Sequence, residues 1–144
     1  MISRNFLVVD DDSEDTELFT EAISSVDATV SCLKAVHGRD ALDKLSGHEI
    51  QRPDIIFLDI NMPIMNGWQL LSKLKENEEL KKIPVIMYST SSRKSDVKAA
   101  LSSGALCFFT KPDNYGRLRQ ILQIVVKYMK EGNLDHVCEA IQQF

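Results

Sequence analysis

The sequence lacks what most specialised classes of protein require. It has only three cysteines among 144 residues, Cys32, Cys107 and Cys138, far apart along the chain and without a CxxC spacing. An odd, scattered set of this kind excludes a disulfide framework or a thiolate zinc site as the basis of the fold, and the thiols are read as reduced. Six glycines and four prolines are too few for a collagenous or low-complexity chain. No apolar stretch approaches the roughly 20 residues that a membrane helix needs, and no basic, apolar leader precedes the strand-like run that begins at Phe6. A cytoplasmic location is therefore expected. There is no cationic excess either: 17 Lys plus Arg stand against 21 Asp plus Glu, a net charge of −4, which disfavours a nucleic-acid partner. What is present, 44% hydrophobic and 26% charged residues, suits one soluble domain with a real core and leaves no room for a second.

Short apolar runs alternate with segments of helical period, the pattern of strands joined by crossover helices in a parallel sheet. The runs are FLVV (6 to 9), TVSCLKA (29 to 35), IIFL (55 to 58), VIMY (85 to 88) and LCFF (106 to 109). Four are almost wholly apolar, as strands covered on both faces must be, whereas Ser31 and Lys34 suit the second to a sheet edge. The first helix carries Leu18, Phe19, Ala22, Ile23 and Val26 behind Ser13 as a cap, with Glu14, Asp15 and Glu17 near the positive end of its dipole. The second runs from about Asp40 to Leu45 and ends at Gly47. The third uses Leu70, Leu71 and Leu74 after Asn66 and Gly67, and the fourth places Val97, Ala100 and Leu101 on one face before Gly104. A fifth runs from about Tyr115 to Lys130. After Gly132, the spacing of Leu134, Val137, Cys138 and Ile141 predicts a short sixth helix that docks on this domain or on something else. The expected divisions are therefore a domain over residues 4 to 130 and a helical extension over 131 to 144. Trp68 is read as packing or surface contact, and His37, His48 and His136 as surface or cap residues.

Residues that a core would not tolerate follow four of the runs: Asp10 and Asp11 after the first, Asp59 after the third, Ser89 after the fourth, Thr110 and Lys111 after the fifth. All are carboxyl ends. In an open α/β sheet these ends share one edge, with ligands bound where the strand order reverses, so residues a hundred positions apart converge on one pocket. Three carboxylates on one rim repel one another and call for a cation. Hard oxygen ligands point to Mg²⁺ rather than zinc or copper. With Asp10, Asp11 and Asp59 negative, the metal divalent and Lys111 positive, the charges sum to zero. Such a pocket can receive a phosphoryl group, with a carboxylate as nucleophile.

The segments FLVVDDD (6 to 12), IIFLDINMPIMNGWQLL (55 to 71), PVIMYSTSS (84 to 92) and CFFTKPDN (107 to 114) resemble, in order and spacing, the four signatures of a two-component response-regulator receiver domain. The likeness covers roughly residues 4 to 130. The acid-rich VDDDSEDTELF opening and the insertion from Glu76 to Lys82 resemble small stand-alone receivers, among them chemotaxis-type receivers and those that partner bacterial phytochromes. The resemblance implies a flavodoxin-like (βα)₅ fold with strand order 2-1-3-4-5. It implies Asp59 as phosphoacceptor, Asp11 as a direct Mg²⁺ ligand, Asp10 as a ligand directly or through water, and the Asn61 backbone carbonyl as a further ligand. Lys111 would bind the phosphoryl oxygens, Ser89 would be the hydroxyl that moves towards them, and Phe108 the aromatic that turns inward in response. A cis Lys111–Pro112 bond is also implied. The donor would be a sensor histidine kinase or a phosphotransfer protein. With no effector domain expected after residue 130, output would pass to an unknown downstream protein or through a homodimer, built on the face of helix four, strand five and helix five or on the terminal helix. Phe108 lacks a hydroxyl, so signalling through a tyrosine hydrogen bond is absent, and Thr90, where a smaller residue is common, is expected to slow dephosphorylation.

Three other readings compete with this one. A hydrolase of the haloacid-dehalogenase type needs a second aspartate two positions after the nucleophile, where this sequence has Asn61, so a turnover enzyme is not expected. A pseudo-receiver that only docks partners would not require the set Asp10, Asp11, Asp59, Ser89 and Lys111. A flavodoxin-like cofactor carrier shares the fold, but its phosphate would not be received by an acidic first loop.

Overall fold

The computed structural model describes residues 4–47, 50–90 and 93–143; His48 lies outside them. Each apolar run forms a parallel strand: β1 (Arg4–Val9), β2 (Val30–Ala35), β3 (Ile55–Asp59), β4 (Val85–Ser89) and β5 (Cys107–Thr110). The order is β2-β1-β3-β4-β5, so the sheet is doubly wound as expected. The reason lies in the runs themselves. In β1, Phe6 and Val8 face one layer while Leu7 and Val9 face the other, and all four are fully buried. Such strands are stable only between two helical layers. In β2, Val30 and Ala35 are buried and Ser31 and Lys34 exposed, which fits its edge position.

One layer consists of α1 (Ser13–Val26) and α5 (Tyr115–Lys130), and the other of α2 (Gly38–Ser46), α3 (Gly67–Glu76) and α4 (Lys94–Ser102). The insertion before β4 ends in a 3₁₀ turn at Leu80–Lys82. The cap of α1 differs from expectation: Asp12, not Ser13, accepts the Glu14 and Asp15 backbone N–H groups at 3.0 and 3.2 Å. Either side chain is chemically suited to the task, but Asp12 has the extended backbone of a cap and Ser13 is already helical. Leu18 and Leu101, placed inward by spacing, are 46% and 43% exposed, because each lies at the margin of its helix's apolar stripe. His37 caps α2, its Nδ1 accepting the Asp40 N–H at 3.1 Å, and Trp68 packs partly buried against the second layer.

The chain after α5 docks on this domain. A 3₁₀ turn at Leu134–His136 leads into α6 (Val137–Gln142), which packs on α5 and β5 with Val137 and Ile141 buried. Nearby, Lys130 at the end of α5 pairs with Asp27, which also accepts the Thr29 N–H at 2.9 Å and its hydroxyl at 2.6 Å. The Lys130 hydrogen bond, and then those of Thr29, lower the Asp27 carboxyl to about 2. A carboxyl lowered from an unfolded value near 3.9 stabilises the fold above about pH 4, and that contribution is lost as pH falls towards 2. Lys130→Met is therefore expected to flatten the acid limb of unfolding free energy by about 1 kcal/mol between pH 4 and 2, read from urea melts across that range.

Candidate functional site

Parallel pairing brings the carboxyl ends of β1, β3, β4 and β5 to one edge, and Asp10, Asp11, Asp59 and Lys111 meet there. Asp10 directly follows β1 and is anchored to β2 by its N–H, which donates to the Ala35 carbonyl at 3.0 Å. Its carboxylate is buried, with Oδ1 accepting the Asp12 N–H at 3.0 Å. Asp59 closes β3 and is only 5% exposed, whereas Asp11 is exposed. One oxygen from each of Asp10, Asp11 and Asp59 lies within 4.8 Å of the others. Ser89, fully buried at the end of β4, stands opposite Thr110 in the sheet, and its carbonyl accepts the Lys111 N–H at 2.8 Å.

That backbone bond aims the Lys111 side chain back across the site. Its ammonium donates to Asp15 at 2.9 Å and Asp10 at 3.2 Å, and lies 3.8 Å from Asp59. Burial opposes the charge on Lys111, but the Asp15 hydrogen bond and the charges of Asp10 and Asp59 outweigh it and raise its pKa. Asp59 moves the other way for a carboxylate. Burial, and then the facing charge of Asp10, push it up to about 7 against the pull of Lys111 and a hydrogen bond from the Asn61 backbone N–H. In the sequence Asp15 reads only as a helix-dipole residue and Tyr88 only as strand. Yet Asp15 holds the lysine, and the buried Tyr88 hydroxyl donates to Asp10 at 2.9 Å. Burial, then Asp10, raise that phenol well above its ordinary pKa.

The Lys111–Pro112 bond does not follow expectation. No peptide bond among the described residues is cis, trans being the isomer favoured by about 0.5–1 kcal/mol, and the lysine reaches its three carboxylates from it. Asp12 and Asp15 also add a fourth and a fifth negative side chain, so the rim is more acidic than the neutral count with a divalent ion implied. Asp11, Asp12, Asp15, Asp59, Asn61, Thr90 and Lys111 line an open hollow of about 450 Å³. Clustered carboxylates, one of them driven towards protonation by burial and by its neighbour, are a donor set that fits a hard divalent cation. Phe108, next along β5 from Cys107, is 4% exposed and packs in the layer of α3 and α4.

The backbone of the turn after β3 is equally constrained. The Gly67 N–H donates to the Ile60 carbonyl at 2.9 Å, and α3 begins there under a capping box of Asn66 and Gln69. A Cβ on Gly67 would stand 2.4 Å from the Asp59 carbonyl oxygen, so glycine alone allows α3 to start this close to the strand.

A doubly wound sheet with an acidic switch-point pocket and a lysine across it defines a class, and the comparisons agree on which. Residues 6–123 match the model of the response regulator receiver domain. The chain belongs to that family, whose members are the phosphoacceptor modules of two-component systems and are phosphorylated by histidine kinases. It is 32% identical over 120 residues to chemotaxis protein CheY1 of Helicobacter pylori (strain ATCC 700392 / 26695), covering 83% of this chain and 94% of that one. It is 31% identical over 134 residues to response regulator Rcp1 of Synechocystis sp. (strain ATCC 27184 / PCC 6803 / Kazusa), covering 87% and 88%. Among solved structures, the phosphorylated cyanobacterial phytochrome response regulator RcpA matches with a TM-score of 0.83 at 27% identity, covering 91% of this chain and 96% of that one. The Mn²⁺-bound form of Rcp1 matches at 0.78 and 28%, covering 88% and 94%.

Proposed function

We propose that Asp59 is the phosphoacceptor of this receiver and that Asp10, Asp11, Asp59 and the Asn61 carbonyl hold Mg²⁺. The observation that carries this is the meeting of Asp10, Asp11 and Asp59 within 4.8 Å beside the Lys111 ammonium. When bound, the ion supplies positive charge to the carboxylates and to the phosphoryl oxygens. An Asp59 oxygen attacks the phosphorus of a phosphohistidine in line. The P–N bond breaks, and the imidazole leaves with the electron pair. Lys111, held by Asp15 and Asp10, turns from the carboxylates to the incoming phosphoryl oxygens. Ser89 and Phe108 relay the change to the face of α4, β5 and α5. α4 suits a movable element, since Ala100 is its one buried residue.

The receiver proper spans residues 4 to 130, with residues 131 to 144 as a C-terminal extension. The domain catalyses its own phosphorylation and slow dephosphorylation without turning over a substrate. It works in the cytoplasm with a sensor kinase or phosphotransfer protein, and signals to a downstream protein or through a second copy of itself, without nucleic acid or membrane. No helix among the described residues is long and apolar enough to cross a membrane. Peptide mapping after treatment with a small phosphodonor tests the reading. Phosphate is expected on the peptide containing Asp59, and only with Mg²⁺ present; phosphate elsewhere, or metal-independent labelling, overturns it.

Thr90 lines the hollow beside Asp59 and Lys111, where its methyl group restricts water reaching the phosphoryl group. Thr90→Ala is expected to shorten the phosphoryl half-life by roughly 3- to 10-fold, an effect of about 1 kcal/mol on the hydrolytic barrier, measured by loss of labelled phosphate.

A further inference from the structure

Cys107 and Cys138, distant in the sequence, meet where the terminal helix joins the sheet. β5 is an outer strand, and its first residue, Cys107, turns a fully buried thiol towards the layer of α5. α6 lies against both elements. Val137 and Ile141 enter that apolar cluster, and Cys138 packs partly buried against it. The two thiols face each other across this join, each acting on the other's ionisation. Both lie against the Phe108 backbone, whose carbonyl is 3.8 Å from the Cys107 sulfur. One turn along α6, the Gln142 side-chain amide donates to the Cys138 sulfur at 3.7 Å. The third thiol is remote: Cys32 is on β2 at the opposite edge of the sheet, 3.9 Å from the Thr20 hydroxyl. We propose that Cys107 and Cys138 are an oxidation site, a dithiol that a hydroperoxide converts into an intramolecular disulfide stapling α6 to β5.

The two environments divide the labour. The neighbouring Cys107 thiol draws Cys138 down, while Cys138, and then burial, push Cys107 up. Cys138 is the thiol that ionises and, being partly exposed, the one a peroxide can reach. Its thiolate attacks hydrogen peroxide, the O–O bond breaks, and the sulfur retains one oxygen as a sulfenic acid. The departing hydroxide takes up the proton that Cys138 released, giving water. Cys107 then attacks the Cys138 sulfur. The S–S bond forms, and hydroxide leaves with the Cys107 proton as a second water. Two thiols have lost two electrons and two protons, and one peroxide has become two waters. A partly exposed thiolate beside a resolving thiol is the usual arrangement of a redox sensor. In a reducing compartment such a bond is transient.

The site stands next to the switch position. Phe108, Ile141 and Gln142 all line a groove of about 480 Å³ that reaches from Val97 of α4 to Arg117 of α5. Oxidation therefore fixes the terminal helix at the margin of the face through which a receiver signals.

The test uses the reduced full chain, treated with hydrogen peroxide, quenched by alkylation and analysed by mass spectrometry. The expected product is a monomer lighter by two hydrogens, with Cys107 and Cys138 cross-linked, Cys32 still alkylated, and all three thiols restored by dithiothreitol. Cys138 is expected to lose alkylation roughly tenfold or more faster than Cys32, and the oxidised chain to melt at a higher temperature than the reduced one. Cys32→Ser should cross-link as the wild type does. Cys138→Ser and Cys138→Ala, each checked for folding by circular dichroism, should not. Conversion of wild-type Cys138 to sulfinic acid with Cys107 still alkylatable, a cross-link to Cys32, or one between two chains would overturn the proposal.

Discussion

Asp59→Asn is expected to abolish phosphoryl incorporation and, at the same time, to stabilise the metal-free protein. The first effect follows from the loss of the nucleophile: an amide oxygen at this position carries no charge with which to attack phosphorus, so labelling from a small phosphodonor should fall by at least about 10³-fold. The second follows from electrostatics. Asp59 is buried with its charge facing Asp10, and Lys111 is shared with Asp10 and Asp15. An asparagine of the same shape removes the repulsion and the cost of desolvating a charge. In chelator at pH 8 the variant should gain about 2 kcal/mol in urea unfolding. It should also lose most of the stabilisation that Mg²⁺ gives the wild type, because binding to the native state adds stability only as far as affinity persists. A variant that is labelled at the wild-type rate, or that is less stable in chelator, contradicts the assignment.

Gly67→Ala is expected to damage the fold and the site together. The added methyl group would approach the Asp59 carbonyl oxygen to 2.4 Å and the Ile60 Cα to 2.8 Å. Both are backbone atoms, so no side chain can rotate aside. Either the end of β3 shifts, carrying Asp59 with it, or the first turn of α3 lifts and breaks the hydrogen bond from Gly67 to Ile60. A loss of about 2–4 kcal/mol is expected in urea melts, with at least tenfold slower phosphorylation in the fraction that remains folded. Gly116→Ala is the control. In the first turn of α5 the nearest atom to its added carbon is 3.5 Å away, and alanine's better helix propensity should leave stability unchanged or raise it by up to about 1 kcal/mol.

How much of this the sequence discloses depends on whether a residue's role is set by its neighbours in the chain. The strands do disclose it: IIFL can be stable only with both faces covered, and Ile55 to Leu58 are fully buried. Asp10, Asp59, Ser89 and Lys111 were visible because a polar group directly after an apolar run must lie at a sheet edge, and parallel connections bring those edges together. Asp15 and Tyr88 were not visible. Asp15 reaches Lys111 across 96 positions and Tyr88 reaches Asp10 across 78, and nothing local separates a carboxylate that favours a helix dipole from one that grips a lysine. Cys107 and Cys138 were hidden in the same way, since only the docking of α6 brings them together. At the cap of α1 the difficulty was the opposite: Asp12 and Ser13 are both suitable, and the choice rests on one backbone torsion.

The register of the sheet gives the pocket a dependence on assembly. Lys111 is 101 positions from Asp10, and it reaches that partner only after β3 and β4 have been laid down between their strands. A chain still lacking β5 would hold two desolvated carboxylates with no ammonium opposite them, so the half-built edge repels itself. Contacts this distant in sequence form late and close slowly. The competence of the pocket is thus a readout of complete folding: an intermediate with four strands in place can be compact without being able to accept a signal.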